Sequence, residues 1–120
     1  MFNKLRIGEN AKSAQKFTPV HPNPTIGKNH GISLMLHGKH SEEYRNAIAA
    51  MLRRSKKGEQ SMEDSIKESA MLIGACCESY DGADEKKFDR KALIETLQED
   101  DYRWLRLQAE KFMQEDSNFF

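Results

Sequence analysis

Cysteine, proline and long apolar runs are all scarce in this chain of 120 residues. The two cysteines, Cys76 and Cys77, are neighbours. On a helix their side chains would point about 100° apart, so they cannot share a relaxed disulfide, and reduced thiols are expected. No apolar stretch approaches the ~20 residues that a membrane-crossing helix needs, and no basic-then-apolar leader opens the chain, so a cytoplasmic protein without membrane contact is expected. A glycine-rich phosphate loop and a G-x-S-x-G elbow are both missing, which removes the commonest nucleotide and acyl-transfer machinery. These absences predict a binding protein rather than an enzyme, with no cofactor and no metal.

What is present is charge. Charged residues make up 32% of the chain and hydrophobic ones 38%, a balance that suits a thin core built from helices with one apolar face each. The 19 basic and 19 acidic residues cancel, yet residues 1–60 carry net +7 and residues 61–120 net −7. Such polarity can steer antiparallel packing or head-to-tail association of copies, although ordinary solvated helix faces explain it as well.

Along the chain, residues 1–15 are polar and aperiodic, which predicts a flexible arm anchored through Phe2, Leu5 and Ile7. Asn, Pro and Gly cluster in NPTIGKNHG, so residues 16–38 read as a β-hairpin, with Ile32, Leu34 and Leu36 on one face and Pro19 confining its strand to an edge. The period then turns helical. Four helices are predicted at about 41–57, 61–79, 89–98 and 101–115, giving one mainly α (α+β) domain over 16–120. Ser41, Ser61 and Asp89 are placed to cap the first three, Asp100 or Asp101 the last. Tyr44, Ile48, Met51 and Leu52 stripe the first helix, which Gly58 ends. Met62, Ile66, Ala70, Ile73 and Cys77 stripe the second, which should be the best buried. Leu93, Ile94 and Leu97 mark the third; Tyr102, Leu105, Ala109, Phe112 and Met113, widened by Trp104, mark the fourth.

Candidate chemistry is thin. His21, His30, His37 and His40 lie close in sequence, but the cysteines stand far beyond them and side by side, unlike the paired spacing of a zinc site. Cys76 and Cys77 continue an apolar stripe, where cysteine acts as a small hydrophobe and not as a nucleophile. Arg53, Arg54, Lys56 and Lys57 suit the negative end of a helix dipole better than a phosphate grip, since no aromatic platform is interleaved. Glu99, Asp100 and Asp101 read as capping and solvation. Phe119 and Phe120, after a polar run, either fold back on the last helix or anchor a partner. The expected protein-binding residues are Tyr44, Ile48, Leu52, Trp104, Leu105, Phe112, Phe119 and Phe120.

Several of these phrases together resemble the tail assembly chaperones of long-tailed bacteriophages, over about residues 15–120. That family's strand ending in a Leu-x-Gly-like turn before a Ser-capped helix with a Tyr-Arg pair is matched by Leu36-His37-Gly38, Ser41 and Tyr44-Arg45. Its helix closing in a cysteine, an aromatic and a glycine is matched by Cys77, Tyr80 and Gly82, with Tyr80 where tryptophan is usual. The apolar-Arg-x-Gln element and the Asn-Phe ending are matched by Leu105-Arg106-Leu107-Gln108 and Asn118-Phe119, with Phe120 as an added aromatic. The resemblance implies a homo-oligomeric protein of the host cytoplasm that coats the tape measure protein. Tail tube protein would then displace it, and it would be absent from the mature virion. A structural virion component, such as a head-to-tail or tail-completion protein, and a nucleic-acid-binding regulator are the alternative expectations.

Overall fold

Two short segments of the N-terminal third pair as strands. The computed structural model describes residues 1–54, 61–83 and 87–120. Strand β1 (Gln15–Phe17) runs antiparallel to β2 (Ser33–Leu36), with Phe17 opposite Leu34, and a third strand, β3 (Cys77–Asp81), completes a sheet of order β1-β2-β3. Strand alternation buries Leu34 and Leu36 and leaves Ser33 and Met35 half-covered. The expected hairpin over 16–38 is therefore a strand pair with a long connection. Pro19, Pro22 and Pro24 lack the N–H that would extend the ladder, and Asn23 closes a local turn by accepting from the Thr25 N–H at 3.0 Å. β1 is an edge strand, but Pro19, expected within it, lies past its end.

The residues before β1 form a 3-10 turn at Asn3–Leu5 and a single-turn helix, α1 (Glu9–Lys12). Phe2, Leu5 and Ile7, expected as anchors, are exposed, and Ala11 is buried in their place. A methyl group fits where the α1 turn meets the sheet, held by the contact of His37 Nδ1 with the Lys12 carbonyl at 3.1 Å.

Four longer helices follow: α2 (Glu42–Arg54), α3 (Met62–Cys76), α4 (Arg90–Leu97) and α5 (Arg103–Gln114). Their starts are those the capping residues predict. Ser41 Oγ accepts from the Tyr44 N–H at 3.1 Å, Ser61 Oγ from Asp64 at 3.1 Å, and Asp89 Oδ1 from Ala92 at 3.1 Å. α5 differs: Asp100 and Asp101 lie in a 3-10 turn (Asp100–Tyr102), and no side chain caps the helix. The predicted end of α2 at Lys57 and Gly58, and part of the loop over 81–88, lie outside the described residues.

The second predicted helix, over 61–79, stops at Cys76, and the chain enters β3 without a loop. Local periodicity loses here to sheet pairing. β2 needs a partner on its second edge, and the carbonyls freed by unwinding find donors. His37 N–H bonds the Cys76 carbonyl at 2.9 Å, while Arg90 donates to the Gly74 and Cys77 carbonyls at 2.9 and 3.1 Å.

The core forms where α3 packs against α2, α4 and α5 with the sheet beneath, around Leu36, Ile73, Leu97, Met113, Cys76 and Cys77. Phe17 and Phe112, with ring centroids 5.1 Å apart, join sheet to α5. Arg106 is buried but satisfied, donating to the Leu97 carbonyl at 3.0 Å at the end of α4. α3 and α5 each bury four residues, so α3 shares the expected rank of best-buried helix. Gly74 sits directly under Ile94, whose side chain occupies the place of a Cβ. Gly74→Ala is therefore expected to cost about 1–3 kcal/mol through forced repacking. Urea denaturation checks it, and a midpoint equal to that of the unaltered chain would mean that α4 can retreat freely.

Candidate protein-binding surface

Apolar side chains that folding leaves uncovered are the material for a binding surface. α2 is amphipathic, yet none of its residues is fully buried. Tyr44 packs on the core edge, Ile48 is half-buried, and Leu52 is 71% exposed. Exposure thus rises along the helix towards the basic residues Arg53 and Arg54, of which Arg54 pairs with Glu68 at 3.4 Å. The Tyr44 hydroxyl accepts from Gln114 Nε2 at 2.6 Å, which ties the start of α2 to the end of α5. Gln114 in turn lines an open groove between α3 and α5 with Leu72, Leu107 and Met113. Leu107, 49% exposed, projects beside it. The α2 stripe and this groove are therefore neighbours.

The remaining candidates divide. Leu105 is a core residue, and Phe119 is buried against Phe112 and the loop before α2, so both are withdrawn from outside contact in this conformation. Trp104 is half-buried, its ring 5.0 Å from His21 and its indole N–H on the Asp101 carbonyl at 3.0 Å. Phe112 lies between Phe17 and Phe119. Phe120 alone of the last pair is open, 65% exposed and edge-on to His40 at 5.6 Å. Leu72 and Leu107 escaped sequence reasoning because Leu107 sits off the buried stripe of its helix and Leu72 off that of α3.

The ending that holds Phe119 is a latch. A Cβ on Gly38 would stand 2.6 Å from the Phe119 ring, so only glycine lets the ring lie flat on that turn. Asn118 donates to the Phe112 carbonyl at 2.9 Å, and Asp116 accepts from His40 at 3.0 Å with Lys39 at 3.5 Å. The His40 hydrogen bond, with Lys39 beside it, holds the Asp116 carboxyl below the usual aspartate range.

The cysteines and histidines take part in packing and in hydrogen bonds. Burial pushes the Cys76 thiol up to about 12 and the Cys77 thiol up to about 11, so both stay protonated near neutrality and neither is an activated nucleophile. His30 accepts from the Ile32 N–H at Nδ1 and therefore donates through Nε2 to the Pro19 carbonyl at 2.7 Å. His21 braces Trp104, and His37 lies 3.4 Å from both Glu43 and Glu78. Among the described residues no three His, Cys, Asp or Glu side chains gather as a metal ion would require. Nor is any described helix long and apolar enough to cross a membrane.

No family model, no curated protein and no solved structure matches the chain.

The two terminal aromatics should separate cleanly on mutation. Phe119→Ala is expected to lower stability by about 3–5 kcal/mol, as for a buried ring, and Phe120→Ala by less than ~0.5 kcal/mol. Chemical denaturation of the two variants reads the difference, and equal losses would contradict the latch.

Proposed function

We propose that this chain is a tail assembly chaperone of a long-tailed bacteriophage, which binds the tape measure protein in the host cytoplasm and keeps it soluble until the tail tube polymerises. The observation that carries the reading is α2, an amphipathic helix none of whose residues is fully buried. A long helical client displays apolar stripes that aggregate unless covered. An amphipathic helix beside an apolar groove covers such a stripe by presenting anchors at one-turn spacing. Tyr44, Ile48 and Leu52 have that spacing, and Leu72 and Leu107 extend the surface on the neighbouring helices. The motif resemblance around Leu36-His37-Gly38, Tyr44-Arg45 and Asn118-Phe119 supports the same assignment. The chain acts by contact alone, without catalysis or cofactor, and leaves before the particle is complete.

Co-expression with the tape measure protein of the same genome tests this. The chain should co-purify with its client and raise the client's soluble yield, and it should be missing from purified virions by mass spectrometry. Because Leu52 and Leu107 are exposed, Leu52→Asp with Leu107→Asp should leave the fold intact and weaken client binding by about 30-fold, the loss of ~2 kcal/mol typical of an interface anchor. Retention in virions would favour a structural tail component. Client capture undiminished in the double variant would remove α2 and the groove as the binding surface.

A further inference from the structure

β1 ends the sheet on one side and leaves a strand edge open. Its ladder runs only to β2, and no other described residue hydrogen-bonds the main chain of Gln15–Phe17. Lys16 is exposed and Phe17 buried, as strand alternation requires. A groove lined by Lys16, Phe17 and Thr18 in succession therefore runs along the edge of the strand and not across one face. Its other wall is the end of α5, with Gln108, Lys111, Phe112 and Glu115. Gln108 ties the two walls together: it accepts from the Val20 N–H and donates to the Val20 carbonyl, each at 2.8 Å. The groove is thus formed before anything enters it. Its apolar lining is Val20, 44% exposed, and Phe112, packed on Phe17.

Charge decides what such an edge can accept. Lys16, Lys28 and Lys111 line the groove against one carboxylate, Glu115, which reaches Lys111 only at 3.9 Å. Lys16 and Lys28 form no ion pair among the described residues. A lysine on an open edge guards it against unselected strands. A second copy of this edge is refused, because antiparallel pairing about its centre sets Lys16 against Lys16, and like charges directly opposite repel. A nucleic acid would satisfy the lysines but has no peptide backbone to pair with the strand. An extended acidic peptide satisfies both, since its backbone completes the ladder and its carboxylates meet the ammonium groups.

We infer that the open edge of β1 takes an extended acidic segment of a different protein as a fourth strand of the sheet. Main-chain hydrogen bonds to β1 hold the segment, its carboxylates meet Lys16, Lys28 and Lys111, and an apolar side chain between them covers Val20 and Phe112. Pro19, two residues past β1 and without an N–H, keeps the added strand short. The site shares only Lys111 with the groove of Leu72 and Leu107. The inference does not rest on the chaperone reading.

Fluorescence anisotropy of the full chain with four labelled heptapeptides, in which Glu alternates with Val, Thr, Phe or Tyr, tests it. At least one should bind, and replacing its Glu residues by Gln should weaken it about 10-fold or more. Methylating alternate backbone nitrogens of that peptide keeps every charge but breaks the ladder, and should also weaken it about 10-fold or more. The variant Lys16→Glu, Lys28→Glu, Lys111→Glu should lose the acidic peptide and gain its counterpart with Lys in place of Glu, a gain that only a folded chain can show. Lys28→Gln alone, outside every helix and strand, should weaken the acidic peptide about 3-fold and carries the test if the triple variant does not fold. No binding of any of the four peptides up to about 1 mM would overturn the inference. So would a methylated peptide that binds as tightly as its parent, lysine variants that bind the acidic peptide unchanged, or an oligothymidine of equal charge that binds as tightly as the peptide.

Discussion

Small side chains along one helix set the arrangement of everything else. Ala70, Gly74 and Cys76 on α3, and Cys77 just past it, leave room for close approach, and the neighbours take it. Ile94 fills the space above Gly74, and Arg90 reaches over to the carbonyls of Gly74 and Cys77. The sheet enters through β3, and Ser69 on α3 bonds Glu110 on α5. α2 packs on α3 as closely as α4 does, yet no residue of it reaches full burial. Leu52 on its outer turn stays exposed and Ile48 half-buried.

The same crowding surrounds the two cysteines. Two adjacent thiols at the point where helix becomes strand are desolvated, which keeps them protonated near neutrality. The imidazoles sit at joints. His37 bridges the α1 turn, α2 and β3, His40 holds the final turn, and His21 and His30 brace the long connection between β1 and β2. Each imidazole thus joins elements that a lean core would hold only weakly.

The sequence made much of this legible where the governing forces are local. Ser41, Ser61 and Asp89 announced helix starts because a cap is a contact within three residues, and Leu34 and Leu36 announced a buried strand face by alternation. Local reasoning failed wherever a distant partner decided the outcome. Residues 77–79 continued a helical stripe, and only the open edge of β2 turned them into a strand. Phe119 and Phe120 are indistinguishable by type, but Gly38, far away in sequence, provides a seat for one ring alone. Glu99, Asp100 and Asp101 had the pattern of a cap, yet the chain makes a 3-10 turn there and leaves their side chains outside.

Under the proposed function, α2 is held less by its own core than by the client it covers. Hydrogen exchange followed by mass spectrometry, on the free chain and on the chain bound to the tape measure protein, tests it most directly. The α2 amides are expected to exchange much faster than those of α3 in the free chain and to become protected in the complex. Protection of α2 equal to that of α3 in the free chain, or an exchange pattern in α2 that the client leaves unchanged, would contradict it.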